Sequence, residues 1–147
     1  MNESATSETA IRDAVARAAA AVGLAGVGLI HLLDIPGKLT QTPYMFWMYL
    51  ALIVGSVLTA GALLRGSDSR AWALAALFPL GAIVGYVLTR TVGLPQDADD
   101  VGNWGEPLGM ASLFVEGLVV ALSGLVLRER ARATARTPAI RATAARA

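Results

Sequence analysis

Four blocks of apolar residues, separated by short polar segments, dominate the pattern of this chain. Each block is long enough to cross a hydrocarbon core about 30 Å thick, which takes about 20 residues of helix. The pattern therefore predicts an all-α, four-helix transmembrane bundle within residues 14–127. Its spans are predicted at about residues 14–33, 44–64, 71–89 and 107–127. Residues 1–13 form a polar N-terminal segment, and residues 128–147 form an arginine-rich tail.

Capping and small residues add detail to these spans. Thr42 is the predicted N-cap of the second span, and Ser67 or Ser69 is predicted to cap the third. Gly81 and Gly85 form a GxxxG pair in the third span. Because small residues let helix backbones approach closely in lipid, this pair predicts a close-packing face.

The basic residues predict the orientation of the bundle. Of the 12 lysines and arginines, only Lys38 and Arg90 lie near the loops at residues 34–43 and 90–106. The other basic residues lie near the two termini and between the second and third spans. Since cytoplasmic segments carry the excess of basic residues, we expect both termini to be cytoplasmic and the two loops to face outward from the plasma membrane. The first charged residues of the chain are acidic, unlike those of a secretory signal, so we expect the first apolar block to be retained as a helix.

Composition restricts the chemistry that this chain can carry. The 147 residues include no cysteine, which excludes disulfides, thiol catalysis and cysteine-ligated metal sites. The single histidine, His31, excludes a multi-histidine metal site within one chain. The sequence also lacks a recognisable nucleophile–base set, nucleotide-binding loop or cofactor motif. We therefore predict no catalytic residues and no metal site, and the sequence indicates no cofactor.

Glu116 is the clearest candidate functional residue. It follows Pro107 by nine positions in the fourth span, a depth of about 14 Å at 1.5 Å per residue, near the bilayer centre. A carboxylate at this depth is costly and usually faces the interior of the bundle. Two interpretations stay open: a proton, cation or ligand site, and a protonated glutamate that only bonds a neighbouring helix.

His31, near the outer end of the first span, also has several interpretations. It is a candidate proton carrier, a candidate hydrogen-bond partner of Asp34 or Glu116, or a structural residue. Metal or haem ligation by His31 is a further alternative. Haem ligation would need a second axial ligand, for which the candidates are Met45, Met48 and Met110.

Polar and aromatic residues collect at the outer ends of the spans and predict a pocket. Arg90 is interpreted either as an interface charge or as an ion-pair partner of Glu106, Glu116 or Asp34. We expect one outward-facing pocket between the helices, with Glu116 at its floor. Its predicted lining is His31, Asp34, Tyr44, Tyr86, Arg90, Trp104 and Glu106.

Two charged segments leave further alternatives. The acidic stretch of Asp97, Asp99 and Asp100 is either a divalent-cation site or a solvated loop. The arginine tail is either a lipid-headgroup binder or a disordered topology anchor. We expect no nucleic-acid partner for it.

The outer segments resemble those of a known group of proteins. The segments are HLLDIP at residues 31–36, TPY at 42–44, GYVLTRTVGLP at 85–95 and WGEPLG at 104–109, together with Glu116. They resemble a group of small, uncharacterised four-helix integral membrane proteins of actinobacteria. The resemblance covers most of residues 15–127 and implies a topology, but no activity.

The function expected from the sequence is therefore broad. The first expectation is a non-enzymatic membrane protein, either an accessory subunit or a small-ligand binder with an outward-facing polar pocket. One alternative is a small oligomeric transporter or proton-coupled protein that acts through Glu116. Another is an electron-transfer or haem- or metal-binding subunit that uses His31. The expected partners are the lipid bilayer and either another membrane protein or a second copy of the chain.

Overall fold

The structure, a computed structural model, describes residues 2–144, with side chains for residues 6–135. Its elements are α1 (Asn2–Asp34), α2 (Lys38–Gln41), α3 (Pro43–Arg65), α4 (Ser69–Thr91), a 3₁₀ turn (Ala98–Asp100) and α5 (Pro107–Ala144). The predicted all-α fold is thus confirmed. α1 extends through the polar N-terminal segment, and α5 continues the fourth span into the tail. The side chains of Arg136, Arg141 and Arg146 lie outside the described set.

Four of these helices are long and apolar enough to cross a membrane. Large apolar side chains on their outer surfaces, such as Val22, Leu58 and Phe114, are more than half exposed. In water such a surface would favour aggregation, whereas in a bilayer it contacts lipid tails. The chain is therefore a multi-pass integral membrane protein with a four-helix bundle fold.

The four long helices pack in the cyclic order α1–α3–α4–α5. Glycine allows a close approach between α1 and α5, because a Cβ atom at Gly23 would clash with the side chain of Val119. The bundle has two distinct ends. We call the end formed by residues 35–42 and 92–106 the loop end. The opposite end, with the α3–α4 turn at residues 66–68, is the turn end.

The apolar core lies in the turn-end half of the bundle. Trp72 is fully buried there against Leu24 and Leu63, and Val119 of α5 closes the cluster. Small residues on α1 and α4, such as Ala20 and Ala75, leave room for the indole. Buried apolar side chains therefore fill the turn-end half of the bundle.

A polar network ties the turn end together. Asp13 accepts hydrogen bonds from the Ser67 hydroxyl at 2.6 Å and from Arg17 Nε at 3.0 Å. Arg130 of α5 donates to the backbone oxygen of Ser67 at 2.7 Å and also to its hydroxyl. The Trp72 indole donates to the same hydroxyl at 3.2 Å. α1, α5 and the α3–α4 turn therefore meet at one serine.

Three local predictions can be compared with the structure. Thr42 is the N-cap of α3 by position, but its side chain makes no capping hydrogen bond. The predicted capping of α4 by Ser67 or Ser69 is wrong, because Asp68 is the N-cap and accepts from the Arg70 amide at 3.2 Å. A carboxylate accepts such a bond as well as a hydroxyl does, and Ser67 is engaged in the turn-end network.

The prediction of a close-packing face at Gly81 and Gly85 is also wrong for contacts within this chain. A Cβ atom at either glycine would meet nothing within 4 Å. Both glycines instead line a cavity between the helices that is partly open, since its lining residues Met48 and Leu77 are more than half exposed. Their missing side chains leave space in the loop-end half of the bundle.

Candidate functional site

A cavity of about 690 Å³ occupies the loop-end half of the bundle. It extends from Glu116 to the loops, and all four long helices contribute to its wall. Apolar side chains form much of its wall: Met45, Met48, Leu52, Leu77 and Phe78. The volume lies within the range of about 300–1,000 Å³ that is usual for small-molecule sites.

Glu116 lies at the deep end of this cavity and is only 1 % exposed. The hydroxyl of Ser112, one turn earlier on α5, donates a hydrogen bond to its Oε1 at 2.7 Å. His31 Nε2 lies 3.8 Å from the same oxygen, beyond hydrogen-bond distance but close enough for an ion pair when the imidazole is protonated. Glu116 therefore faces the bundle interior and not lipid.

The orientation of His31 is fixed from both sides of its ring. Nδ1 lies 3.0 Å from the backbone oxygen of Val27, and a carbonyl oxygen can only accept, so Nδ1 carries the proton. This leaves Nε2 directed toward Glu116. The imidazole also packs edge-on against Tyr49, with ring centroids 4.9 Å apart.

Tyr49 continues this line of polar groups toward the loop end. Its hydroxyl donates to Asp34 Oδ2 at 2.8 Å, and both residues line the cavity. Lys38 lies 6.0 Å from the centre of the Tyr49 ring. Polar contacts therefore connect the cavity wall at α3 to the end of α1.

Arg90 is the most enclosed cation at the loop end, with 6 % of its side chain exposed. Its NH1 lies 2.5 Å from Asp100 and its NH2 lies 3.3 Å from Glu106. Its guanidinium lies 4.7 Å from the centre of the Tyr86 ring. Arg90 therefore forms an ion pair with Glu106, which was one of its expected partners. It also forms one with Asp100, which was not.

Glu106 also caps the start of α5. Its Oε2 also accepts a hydrogen bond from the backbone amide of Gly109 at 3.0 Å, which satisfies one of the free amides of the first helical turn. A Cβ atom at Gly109 would clash with the Tyr86 ring. The segment at residues 104–109 thus couples the start of α5 to Tyr86 and Arg90.

The α4–α5 loop lies over the cavity and contributes Leu94, Asp97 and Asp100 to its lining. Gly93 and Gly102 take φ values of 72° and 81°, which favour glycine. The Gly102 amide donates to the backbone oxygen of Arg90 at 2.9 Å. These contacts fold the loop back onto α4.

Two buried polar atoms of the cavity lining have no hydrogen-bond partner within the described part of the chain. They are Nε of Arg90 and Oδ2 of Asp97, and both residues line the cavity. Buried polar atoms normally have partners, so these two are positions for ligand atoms or water. Burial raises the pKa of the Asp97 carboxyl above its ordinary value, while the positive charges of Lys38 and Arg90 act against this rise.

The structure brings together most of the candidate residues from the sequence. The cavity lining includes His31, Asp34, Tyr86, Arg90, Glu106 and Glu116. Trp104 and Tyr44 lie outside it. Trp104 accepts a hydrogen bond from the Tyr86 hydroxyl through its backbone oxygen, and Tyr44 donates to the backbone oxygen of Pro95. They contact the lining residues and the loop from outside.

Several polar lining residues were not among those predicted from the sequence to line the pocket. These are Lys38, Tyr49, Asp97, Asp100 and Ser112. Of these, only Ser112 could have been predicted from the sequence, because a residue four positions before Glu116 lies on the same helix face. Among the methionines considered as haem ligands, Met45 and Met48 line the cavity, whereas Met110 lies outside its lining.

Comparisons with protein-family models, curated proteins and solved structures gave no match for this chain. The predicted relation to small actinobacterial membrane proteins therefore stays a prediction. Any function has to be argued from the cavity itself.

Proposed function

We propose that this protein is a non-enzymatic small-ligand binder of the plasma membrane, with the cavity as its binding site. The observation that carries the proposal is the enclosed carboxylate of Glu116 at the end of a 690 Å³ cavity. Polar groups cost free energy in a bilayer interior and are retained there mainly for function. The predicted orientation directs the loop end of the cavity outward, because only two of the 12 basic residues, Lys38 and Arg90, lie near its loops.

The distribution of side chains describes the ligand in outline. The walls are apolar at Leu52, Leu77 and Phe78, and polar at Glu116 and toward the loops. A ligand that fits has an apolar body and at least one polar group. It is held by cavity walls on all four long helices.

The proposal is tested by filling the cavity. Gly85→Leu places a side chain into the cavity, where a Cβ atom meets nothing within 4 Å. Gly61→Leu is the matched control, because a Cβ atom there is equally unobstructed but lies outside the cavity lining. Each protein is purified in mild detergent, and mass spectrometry identifies the small molecules that stay bound. We expect a ligand with the parent and with Gly61→Leu, and none with Gly85→Leu. Equal retention by all three proteins would contradict the proposal.

One observation favours a second candidate function, proton-coupled transport through Glu116. The Glu116 carboxylate lies 3.8 Å from His31 Nε2. Nearer the loop end, the Tyr49 hydroxyl donates a hydrogen bond to Asp34 at 2.8 Å. Such a sequence of groups is a feature of proton pathways. Reconstituted liposomes would show acidification driven by a ligand gradient if this function is correct, and Glu116→Gln would abolish it.

A further inference from the structure

We propose that the ligand of the cavity is an organic monocation with an apolar body, such as a protonated amine or a quaternary onium ion. This inference rests on the proposed function and names the chemical class of the ligand. The cavity is lined by five carboxylates but only two basic side chains. The carboxylates are Asp34, Asp97, Asp100, Glu106 and Glu116, and the basic residues are Lys38 and Arg90. A cleft whose lining has an excess of one charge concentrates ligands of the opposite charge.

Arg90 does not convert the cavity into an anion site. Its two terminal nitrogens are engaged by Asp100 and Glu106, at 2.5 Å and 3.3 Å. Two carboxylates therefore already balance its single charge. Its remaining Nε can donate a hydrogen bond to a neutral oxygen or to water.

The carboxylates that remain lie at two levels of the cavity. Asp34 and Asp97 lie near the loop end with Lys38, and Glu116 lies at the deep end. Within the described residues, Glu116 has one hydrogen-bond donor, Ser112, and one titratable neighbour, His31 at 3.8 Å, but no arginine or lysine within ion-pair distance. An ionised carboxylate in this position needs a cation close by, because a single hydroxyl compensates little of the cost of burying a charge. When the His31 imidazole is neutral, the bound ligand supplies that cation.

Aromatic and apolar groups around the carboxylates suit a large, weakly hydrated cation. Phe78, Tyr49 and Tyr86 line the cavity, and the face of an aromatic ring, unlike its edge, attracts a cation. Rings attract cations such as quaternary ammonium groups when water is excluded. A small metal ion would instead require several oxygen ligands around one point. Within the part of the chain that the structure describes, no group of three His, Asp or Glu residues meets that requirement.

The test compares two probes of the same shape and opposite charge. The parent protein is placed in nanodiscs of zwitterionic lipid, and equilibrium dialysis measures the binding of tetraphenylphosphonium and of tetraphenylborate. Empty nanodiscs give the lipid background for each ion. We expect saturable binding of tetraphenylphosphonium above this background, and none of tetraphenylborate. Preference for the borate, or saturable binding of neither ion, would overturn the cation assignment.

Variants then locate the binding. Glu116→Gln keeps the shape and the hydrogen bond but removes the charge, and should weaken tetraphenylphosphonium binding by at least about tenfold. Asp97→Asn should weaken it several-fold, and it is an independent variant at the loop end if Glu116→Gln does not fold. Asp99→Asn is the control, because Asp99 lies in the same loop but is exposed and outside the cavity. Equal affinity in all four proteins would overturn the inference.

The two proposals fail in different ways. If an uncharged or anionic molecule is retained by the parent and lost from Gly85→Leu, the cavity is a ligand site and only the cation assignment is wrong. If tetraphenylphosphonium binds equally well to the parent and to Gly85→Leu, it binds elsewhere, and the cation assignment for this cavity is wrong. If no molecule is retained in the cavity and neither ion binds, both proposals are wrong.

Discussion

The carboxylate of Glu116 and the imidazole of His31 lie 3.8 Å apart across the interface of α5 and α1. The two helices are antiparallel neighbours, so a residue three turns into α5 meets one in the last turn of α1. Ser112 and Val27 fix the two side chains in this arrangement, at 2.7 Å and 3.0 Å. The deep end of the cavity is therefore a defined polar site and not an isolated acid in lipid.

Substitutions at Glu116 separate its effects on stability and on binding. Glu116→Gln retains the acceptor for Ser112, so we expect the free energy of unfolding in mild detergent to change little. Glu116→Leu leaves the Ser112 hydroxyl without that acceptor and should lower this free energy by about 1–2 kcal/mol. Thermal unfolding of parent, Gln and Leu variants in the same detergent measures both effects. Stabilisation by leucine would contradict the interior position of Glu116.

Arg130, and not the rest of the tail, should stabilise the turn end. Truncation after Arg130, which removes residues 131–147, leaves the contacts of this arginine with Ser67 and Asp13 in place. We expect the truncated protein to insert and to unfold at nearly the temperature of the parent. Arg130→Ala should lower the free energy of unfolding by about 1–2 kcal/mol, because hydrogen bonds from a charged, partly buried donor are lost.

The matched control for Arg130 is Arg132→Ala, since Arg132 is exposed on the same helix. Thermal unfolding in mild detergent should show little change for it. If truncation after Arg130 prevents insertion, the remainder of the tail is structural and the prediction is wrong.

Asp97 should contribute a measurable pH dependence to stability. Burial raises the pKa of its carboxyl above the ordinary value of 3.8, so the folded state binds this proton more tightly than the unfolded chain does. The contribution to stability is fully present below pH 3.8 and is lost as the pH rises through the raised pKa of the folded state. Asp97→Asn removes this loss, so the variant should show a weaker decrease in stability across that window.

The measurement for Asp97 is the unfolding temperature between pH 3.5 and pH 7 for the parent, Asp97→Asn and Asp99→Asn. The exposed Asp99 is the control, and its variant should follow the parent. Identical profiles for the parent and Asp97→Asn would show that Asp97 titrates alike in both states.

The sequence predicted the four helices well because the thickness of a bilayer sets a minimum length for apolar segments. It predicted side-chain directions less well. Trp47 and Tyr49 are two of the four aromatic residues at positions 44–49, yet they lie about 200° apart around a helix with 3.6 residues per turn. Trp47 is 61 % exposed, whereas Tyr49 lines the cavity. Which face of α3 meets its neighbours depends on packing between helices, and a single sequence does not contain that information.

The same limit explains the error at Gly81 and Gly85. A GxxxG pair allows close packing only where another helix lies against it, and the same missing side chains create a cavity where none does. The sequence also did not determine which carboxylates form ion pairs with Arg90. Asp100 reaches it through a loop whose shape depends on Gly93 and Gly102, at φ values of 72° and 81°.

The orientation of the bundle is a prediction from charge alone, and labelling of introduced cysteines tests it. The parent has no cysteine, so each single variant reports one position. Thr40 and Asp99 are exposed at the loop end, and Ser69 is exposed at the turn end. Because ten basic residues lie near the termini and the α3–α4 turn, against two near the other loops, the loop end should face outward. An impermeant thiol reagent should therefore label Thr40→Cys and Asp99→Cys in intact cells. Ser69→Cys should react only after the cells are permeabilised, and labelling of Ser69→Cys alone in intact cells would reverse the orientation and place the cavity on the cytoplasmic side.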